Sequence, residues 1–469
     1  MISPGDSSIP KGDDPLKSIA INHGTVIDPG NRIAASLNLF IEGGKVMNVS
    51  TEPFFGDRVI DAGGMIVSPG FVDIHMHEDE ETDPESSNSH TFEALLKMGV
   101  TTAIGGNCGA GPESFPEYME KLEDKGTLLN IGLLIPHASL RASVGGHDRY
   151  ECLKKEQTDE MATRVAGFME QGALGISYGI RYIPGINEYE LMKTAEPVIK
   201  NHGLISAHIR DDAKGVIGAA KEFLRIAEFH PEANLLVSHI GSMAAYGQME
   251  AFLSLVDEYK GKGCNVASDC YPYAAFSTGL GATTYDPGFL ERYGIGYEKV
   301  VIADGPHRGQ PLTKELYDEL RKSAPETMTV AHVMREEEVN LALSHPGVMV
   351  ASDGSIKKRQ GHPRAAGTFP RFLRKVLDGD LPVSLPEAIG KITAQPCEKA
   401  GIPKGHLGIG SDGDIVIFDP KEIRDRATFD EPTETPGGIH YVIVNGEIAV
   451  EQGEIKSRNA GRLIKKENL

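Results

Sequence analysis

The stretch that decides the fold is Ser68-Pro-Gly-Phe-Val-Asp-Ile-His-Met-His77. Its apolar run predicts a buried β-strand that ends in a His-x-His motif. Because side chains alternate along a strand, His75 and His77 share one face and Met76 points to the other. Two neighbouring imidazoles at a strand end are an arrangement that binds metal ions, although an isolated His-x-His is about as often structural.

Seven further short apolar runs follow this strand, and helical periodicity separates several of them. The eight runs are residues 71–74, 100–104, 131–135, 173–176, 204–207, 235–237, 265–267 and 348–351. This alternation of strand and helix predicts an α/β fold, a TIM-type (β/α)8 barrel. The gap before the last run is far longer than a usual crossover, so we expect an insertion at about residues 278–329 that includes a helix at 313–322.

Short β-type runs broken by turn signals lie on both sides of this central region. They occupy residues 18–67 and 405–469, and Asn445-Gly446 is a typical hairpin turn. We therefore expect the two terminal segments to form one small β-sandwich domain, with residues 68–404 as the barrel. Residues 1–17 are expected to be a flexible N-terminal lead.

Composition limits the class of partner. The chain has 469 residues and a formal net charge of −20, which argues against nucleic acid and anionic membranes as partners. Its five cysteines have no regular spacing, and the N-terminus has neither a basic nor an apolar signal region, so we expect a cytoplasmic protein. A small molecule is the expected partner, and homo-oligomer formation is left open.

Ligand-type residues close several of the predicted strands. Since the carboxyl ends of all barrel strands meet at one face, these side chains are expected to share one pocket. They are His75, His77, Cys108, His208, His239 and Asp353. Taken singly, Cys108 or His239 is more often structural, but imidazoles together with a thiolate favour zinc. The acidic run 78–81 after His77 is interpreted as a solvated edge.

Several motifs together resemble the N-acyl-D-amino-acid deacylase (D-aminoacylase) family of the amidohydrolase superfamily. They are Ser68 to His77, Gly106-Asn-Cys-Gly109, Gly172-Ala-Leu-Gly-Ile-Ser-Tyr-Gly179, Ala207-His-Ile-Arg210, Ser238-His239, Tyr271-Pro-Tyr273, Ser352-Asp-Gly354 and His362-Pro-Arg-Ala-Ala-Gly-Thr-Phe-Pro370. The motifs occur in the family's order, and the resemblance extends from about residue 18 to residue 453.

The resemblance implies roles for the ligand residues. Cys108, His208 and His239 correspond to the ligands of a tightly held zinc ion, whereas His75, His77 and Asp353 correspond to a second, weaker site. The predicted fourth strand contains no lysine, in keeping with the subgroup that uses a cysteine ligand. One or two zinc ions are therefore expected. Asp353 is the candidate acid and base that moves the proton from water to the leaving amine.

The resemblance also implies substrate contacts. Relatives hold the substrate carboxylate with residues that match Tyr271 and Arg364. Ser277 matches a serine that contacts the substrate in relatives, and Tyr182 resembles a further pocket residue. Two positions that carry a basic side chain in relatives carry an uncharged residue in this chain. Gly241 stands where a lysine is found, and Thr283 stands where relatives specific for acidic side chains have an arginine. The second replacement disfavours D-glutamate or D-aspartate side chains.

Three classes of function follow from this pattern. The first is zinc-dependent hydrolysis of the amide bond of N-acyl-D-amino acids or related amides, including D-dipeptides. The second is hydrolysis of a cyclic amide, as in dihydroorotases and hydantoinases; Gly241 leaves it open, while Cys108 and the lysine-free fourth strand count against it. The third is a non-enzymatic binding barrel, which the complete set of ligand residues disfavours.

Overall fold

The protein is described by a computed structural model covering residues 18–78 and 88–466. The lead expected at residues 1–17 and most of the acidic run 78–81 lie outside the described residues. Within the described part, none of the helices has the length and apolar character needed to cross a membrane.

The strands and helices are numbered in chain order. The strands are β1 (Ser18–Asp28), β2 (Ile33–Glu42), β3 (Lys45–Ser50), β4 (Arg58–Asp61), β5 (Ile66–Pro69), β6 (Phe71–Asp73), β7 (Val100–Gly105), β8 (Asn130–Pro136), β9 (Gly175–Gly179), β10 (Leu204–His208), β11 (Asn234–Val237), β12 (Val266–Cys270), β13 (Phe276–Gly279), β14 (Val300–Ile302), β15 (Met328–Ala331), β16 (Val348–Val350), β17 (Ile356–Lys357), β18 (Gln360–Gly361), β19 (Ile415–Phe418), β20 (Ile439–Val444), β21 (Glu447–Glu451), β22 (Glu454–Ile455) and β23 (Leu463–Ile464). The helices are α1 (His90–Lys97), α2 (Phe115–Lys125), α3 (His137–Ser143), α4 (Lys155–Glu170), α5 (Glu188–Lys200), α6 (Val216–Phe229), α7 (Ile240–Ala244), α8 (Met249–Gly261), α9 (Phe289–Tyr293), α10 (Lys314–Ser323), α11 (Glu336–Ser344), α12 (Arg364–Leu377), α13 (Leu385–Lys391) and α14 (Ala394–Ala400).

Eight parallel strands form the predicted barrel, in the order β6, β7, β8, β9, β10, β11, β12 and β16. Each coincides with one of the eight apolar runs, so the predicted TIM-type fold is confirmed. The first and last strands meet just beyond their ends, where the Asp353 amide donates to the His75 carbonyl at 2.7 Å and the His77 amide donates to the Gly354 carbonyl at 2.9 Å. These bonds nearly close the barrel and place its ends side by side.

The decisive stretch forms two strands rather than one. β5 pairs with β1 and β19 in the terminal sheet, and β6 begins the barrel. Gly70 lies between the two strands. A Cβ at this position would lie 2.0 Å from the Thr101 hydroxyl oxygen. The close approach of backbone to Thr101 therefore requires glycine and marks where the chain passes from one sheet to the other.

The terminal segments share one hydrogen-bonded sheet, in the order β22, β21, β20, β19, β5, β1, β2 and β3, with β4 beside β1. Ile19, Leu39 and Val67 from the N-terminal segment pack in one buried cluster with Ile415 and Ile443 from the C-terminal segment. The small β-domain built from both ends is thus present. The exact domain boundaries, at residues 67/68 and 404/405, stay our prediction. The pairing of β5 with β19 continues to Pro69, two residues beyond the first of these boundaries.

Residues between β12 and β16 form a separate small unit. β13, β14 and β15 make an antiparallel three-stranded sheet, with α9 and α10 between its strands. The predicted helix at 313–322 is found as α10. The insertion approaches the barrel loops through Tyr293, whose hydroxyl donates to Asp212 at 2.5 Å.

A buried ion cluster joins the barrel to the terminal sheet. Lys404 Nζ lies 2.6 Å from carboxylate oxygens of both Asp412 and Asp414. Asp414 also accepts from the Asn130 side chain of β8 at 3.2 Å and from the Asn445 amide at 2.7 Å. Asp412 also pairs with Lys45 and Arg462, whereas Lys404 is the cation that the described residues place beside the buried Asp414.

Replacing Lys404 with methionine is expected to lower the free energy of unfolding by roughly 3–5 kcal/mol, because it leaves the buried Asp414 carboxylate without its cation. Urea unfolding of the variant measures this loss. Lys456→Met is the control, since Lys456 pairs with Glu454 at the exposed surface and should leave the transition unchanged. Equal losses in the two variants would contradict a special role for the buried cluster.

Candidate metal centre

All six predicted ligand residues lie at the carboxyl face of the barrel. His75 and His77 follow β6, Cys108 lies in the turn after β7, and His208 is the last residue of β10. His239 and Asp353 follow β11 and β16. Parallel strands separated by long stretches of sequence thus deliver six donor groups to one place.

The Cys108 thiol lies at the middle of this group. Its Sγ is 3.4 Å from His75 Nε2, 3.2 Å from His239 Nε2 and 3.9 Å from His208 Nδ1. Cys108, His208 and His239 form one set of donor atoms within 4.8 Å of one another, and His75, His77 and Cys108 form another. A buried thiol among imidazoles matches the donor chemistry of zinc sites.

Asp353 joins the second histidine pair. Its Oδ1 lies 2.9 Å from His77 Nε2 and 3.5 Å from His75 Nε2. His75, His239 and Asp353 also form a compact donor set. The two sets implied by the family resemblance therefore adjoin each other, with Cys108 and His75 in contact between them, and the number of ions stays a prediction.

Three of these residues have left-handed backbone. The φ angles are 52° at Cys108, 36° at His239 and 50° at Asp353. Such angles are uncommon for residues with a side chain and concentrate at functional sites, where the surrounding structure enforces them. Here each angle occurs two or three residues after a barrel strand ends, at a residue that contributes a donor atom to the cluster.

Two residues that sequence reasoning did not single out hold the histidines. Asp269, in β12, places Oδ2 3.4 Å from His75 Nδ1 and accepts from the His239 amide through Oδ1 at 2.8 Å. The Ser242 hydroxyl lies 3.0 Å from His239 Nδ1. Partners of this kind fix the orientation of ligand histidines. The alternation of β12 could have indicated Asp269, but without the fold it had no visible partner.

Asp73 has a structural task. Its carboxylate accepts from the backbone amides of His75, at 3.2 Å, and Ser352, at 3.0 Å. It therefore ties the end of β6 to the end of β16. Burial raises the pKa of Asp73 to about 6, although the hydrogen bonds from Ser352 and His75 oppose the shift.

Proton affinities differ sharply within the cluster. Burial, followed by the charge of His239, lowers the pKa of His208 to about 4, so its ring is neutral at physiological pH. Burial favours the neutral ring of His77, but its hydrogen bond with Asp353 and the nearby Cys108 raise its pKa to about 9. Burial also opposes ionisation of Cys108, yet the charges of His239 and His75 hold its pKa well below the ordinary value.

The four predicted substrate contacts surround the same centre. Tyr271 Oη, Ser277 Oγ and Arg364 Nε are buried and have no hydrogen-bond partner among the described residues. The Arg364 guanidinium lies over the Tyr271 ring at 4.7 Å, and its Nη1 is 2.9 Å from Asp353 Oδ2. The Tyr182 ring lies 4.6 Å from the His208 ring. Of the four residues, Tyr182 and Ser277 line the pocket beside His208 and His239, and the substrate contacts stay a prediction.

Gly241, which stands where relatives have a lysine, is surrounded by packed side chains. A Cβ at Gly241 would lie 3.0 Å from both Cys270 Sγ and Met334 Cε. Apolar atoms thus occupy the space beside Gly241, and a long cationic side chain could not be accommodated here without repacking. Arg364 is left as the cation beside Asp353.

The interpretation of residue 78 as part of a solvated edge is wrong. Glu78 is only half-exposed, and its Oε1 is buried beside Gly105, where no described residue hydrogen-bonds to it. Burial raises the pKa of this carboxyl. The missing Cβ of Gly105 provides the space that the carboxyl fills, which charge patterning alone does not reveal.

Sequence comparisons find a family and several relatives that match nearly the whole chain. The profile of the Amidohydrolase family matches residues 66–449. The D-aminoacylase of Alcaligenes xylosoxydans xylosoxydans is 28% identical over 94% of this chain and 96% of its own length. The N-acyl-D-glutamate deacylase of the same organism is 30% identical over 93% and 92%.

Solved structures of related proteins share the fold over nearly the whole chain. The N-acyl-D-glutamate deacylase of Bordetella bronchiseptica, solved with zinc and a phosphonate inhibitor, has a TM-score of 0.85 at 28% identity and covers 96% of this chain and 100% of its own. A D-hydantoinase at 18% identity, with a TM-score of 0.63, shares the fold over 96% and 99% of the two chains.

Asp269→Asn is expected to weaken metal binding roughly 10- to 100-fold, because it removes the charge that orients His75. Competition with a chelating dye measures the affinity. Asp257→Asn, which changes a carboxylate paired with His345 at the surface, serves as the control. Unchanged affinity in the Asp269 variant would contradict the orienting role.

Metal affinity is expected to rise with pH up to about 9. In the metal-free protein the raised pKa of His77 means that a proton must leave before the ring binds an ion, so each unit below pH 9 costs up to about tenfold in affinity. Calorimetry in buffers of different ionisation enthalpy counts the released protons. His77→Gln should release about one proton fewer, whereas His345→Gln should behave as the parent protein; equal proton release in all three would contradict the assignment.

Proposed function

The chain belongs to the Amidohydrolase family, and from this premise and the geometry of the metal centre we propose that it is a zinc-dependent hydrolase of N-acyl-D-amino acids or closely related D-amides. The products would be a carboxylate and a free amine. The deacylases among its relatives match at 28–30% identity over nearly the full chain. A dihydroorotase of Streptococcus thermophilus is more distant, at 23% over 92% of this chain and 100% of its own length.

One observation carries the proposal: the Cys108 thiol contacts histidines from three different barrel strands beside the Asp353 carboxylate. Cys108, His208 and His239 would hold the tighter ion, and His75, His77 and Asp353 would form the second site. The thiolate and imidazole donors favour zinc among common divalent ions. Such an ion lowers the pKa of water and polarises an amide carbonyl.

Asp353 is suited to move the proton. Burial opposes ionisation of its carboxyl, but the charges of Arg364 and His239 hold its pKa well below the ordinary range, so it is a carboxylate at neutral pH. It can accept a proton from the attacking water and return it to the amine nitrogen, which must be protonated to leave. His77 beside Oδ1 and Arg364 beside Oδ2 fix the orientation of the carboxylate.

The substrate carboxylate would be held by Arg364, Tyr271 and Ser277. Each has a buried polar atom that finds no hydrogen-bond partner among the described residues, and a bound carboxylate would supply acceptors for all three. Tyr182 would border the substrate on the His208 side. Because Gly241 replaces the lysine of relatives, Arg364 is the principal cation for this task.

A panel of substrates tests the proposal. Zinc-loaded protein is incubated with N-acetyl-D- and N-acetyl-L-amino acids, D-dipeptides, dihydroorotate and hydantoins, and the release of amine or opening of the ring is followed. We expect cleavage of open D-amides with at least a tenfold preference over L-amides. Opening of rings without cleavage of open amides would establish the cyclic-amide alternative instead, and uptake of no metal would favour a binding barrel.

Cys108→Ala is expected to reduce kcat/KM at least about 1,000-fold, since a ligand of the catalytic ion is lost. Metal content by mass spectrometry should fall in parallel. Cys264→Ala is the matched control, because this half-buried thiol contacts only the Ala227 carbonyl among its described hydrogen-bond partners. Full activity at full zinc occupancy in the Cys108 variant would rule out ligation by this thiol.

A further inference from the structure

The pocket beside the metal centre has one charged wall residue that the proposed reaction does not use. His208, His239 and Asp353 line its metal side, and Asp212, Phe276 and Tyr293 line the part away from the metal. Apart from the proposed metal ligands, Asp212 is the one described lining residue whose side chain ordinarily carries a charge at neutral pH. Whatever part of a substrate extends past the histidines therefore meets a carboxylate.

Asp212 has an incomplete set of partners. Its Oδ2 accepts from the Tyr293 hydroxyl at 2.5 Å, but Oδ1 is buried and has no hydrogen-bond partner in the described part of the chain. Arg292 Nε is 3.7 Å from Oδ1, and Arg181 Nη2 is 4.0 Å from Oδ2, so both arginines form long ion pairs with Asp212 but lie beyond hydrogen-bond distance. Only 4% of the residue is exposed. An acceptor oxygen left unpaired in this way costs free energy until a donor reaches it.

The two arginines lie on the other side of Asp212. Arg181 and Arg292 line a separate cavity together with Thr283 and Asp211, and neither lines the pocket at the metal centre. The Arg181 Nη1 donates to Asp211 at 3.0 Å, and the Arg292 Nη1 donates to the Thr284 carbonyl at 3.3 Å. Their donors are thus directed in part to other acceptors.

Because Asp212 lines the pocket and the two arginines do not, a substrate side chain in the pocket meets a carboxylate first. An acidic side chain entering the pocket would approach the Asp212 carboxylate before either arginine, with a like-charge cost in a site sheltered from water. A side chain ending in an N–H group would instead supply the donor that Asp212 Oδ1 lacks. Thr283, which stands where acid-specific relatives have an arginine, adds no cation to this wall.

We propose that Asp212 is a specificity-determining residue that accepts an N–H from the side chain of the substrate. On the proposed function, on which this inference rests, the preferred substrates are N-acyl-D-amino acids whose side chain ends in an amide or an ammonium group. The protein then differs in selectivity from the N-acyl-D-glutamate deacylase that is 30% identical to it.

Steady-state kinetics on near-isosteric substrates test the inference. We expect kcat/KM for N-acetyl-D-glutamine to exceed that for N-acetyl-D-glutamate roughly 10- to 100-fold, the effect of one hydrogen bond to a charged group. N-acetyl-D-lysine distinguishes an ammonium from an amide as the better donor, and N-acetyl-D-methionine reports on apolar fit alone. Asp212→Asn should reduce the glutamine-to-glutamate ratio about tenfold or more.

Two further variants separate selectivity from folding. Asp211→Asn changes the neighbouring carboxylate, which pairs with Arg181 and lines the other cavity, so the ratio should stay at the parent value. Tyr293→Phe removes the partner of Oδ2 but keeps the carboxylate, so the preference for the amide should persist even if thermal stability falls. A loss of stability in Asp212→Asn without any change in the ratio would show that Asp212 is only structural.

The outcomes also separate this inference from the proposed function. Efficient cleavage of N-acetyl-D-glutamate, equal to or above that of the glutamine substrate, would overturn the inference and leave the deacylase function intact. Failure to cleave any N-acyl-D-amino acid would overturn both. An unchanged ratio in Asp212→Asn would likewise overturn the assignment to this residue.

Discussion

The structure depends on the closure of the barrel between its first and last strands. Backbone hydrogen bonds join His75 to Asp353 and His77 to Gly354, and the Asp73 carboxylate bridges the same two segments. Without this closure the His-x-His pair and Asp353 would lie on separate edges of an open sheet. Because these bonds run along the backbone, the distance between the histidines and the carboxylate is set by strand geometry rather than by flexible side chains.

The centre concentrates groups whose charges would be costly to bury separately. Cys108 is stabilised as a thiolate by His239 and His75, and Asp353 as a carboxylate by Arg364 and histidines. Each group offsets the desolvation of its neighbour, so the cluster is a coupled unit. A divalent cation fits such a unit because it replaces protons that the histidines would otherwise retain.

Much of this arrangement could be predicted from the sequence. Apolar runs followed by histidine, cysteine or aspartate predicted both the barrel and the cluster of donor side chains at its carboxyl face, because strand ends in a barrel necessarily converge. The break at Gly70 was not predictable, since it depends on contact with Thr101 in β7, the strand that pairs with β6. Asp269 and Asp212 escaped notice for a related reason: each acquires its meaning from partners on other elements, and a lone aspartate in a sequence has none. Glu78 was misinterpreted because its acidic neighbours suggested exposure.

The shared terminal sheet has a consequence for how the chain reaches this state. β5 lies between β1, which the ribosome makes early, and β19, which emerges more than three hundred residues later. Until then one flank of the N-terminal strands has unpaired amides and carbonyls, a template for association with other chains. A nascent chain would therefore expose this unpaired strand edge throughout synthesis of the barrel. The edge would have to be covered by chaperones or by rapid docking until β19 is made.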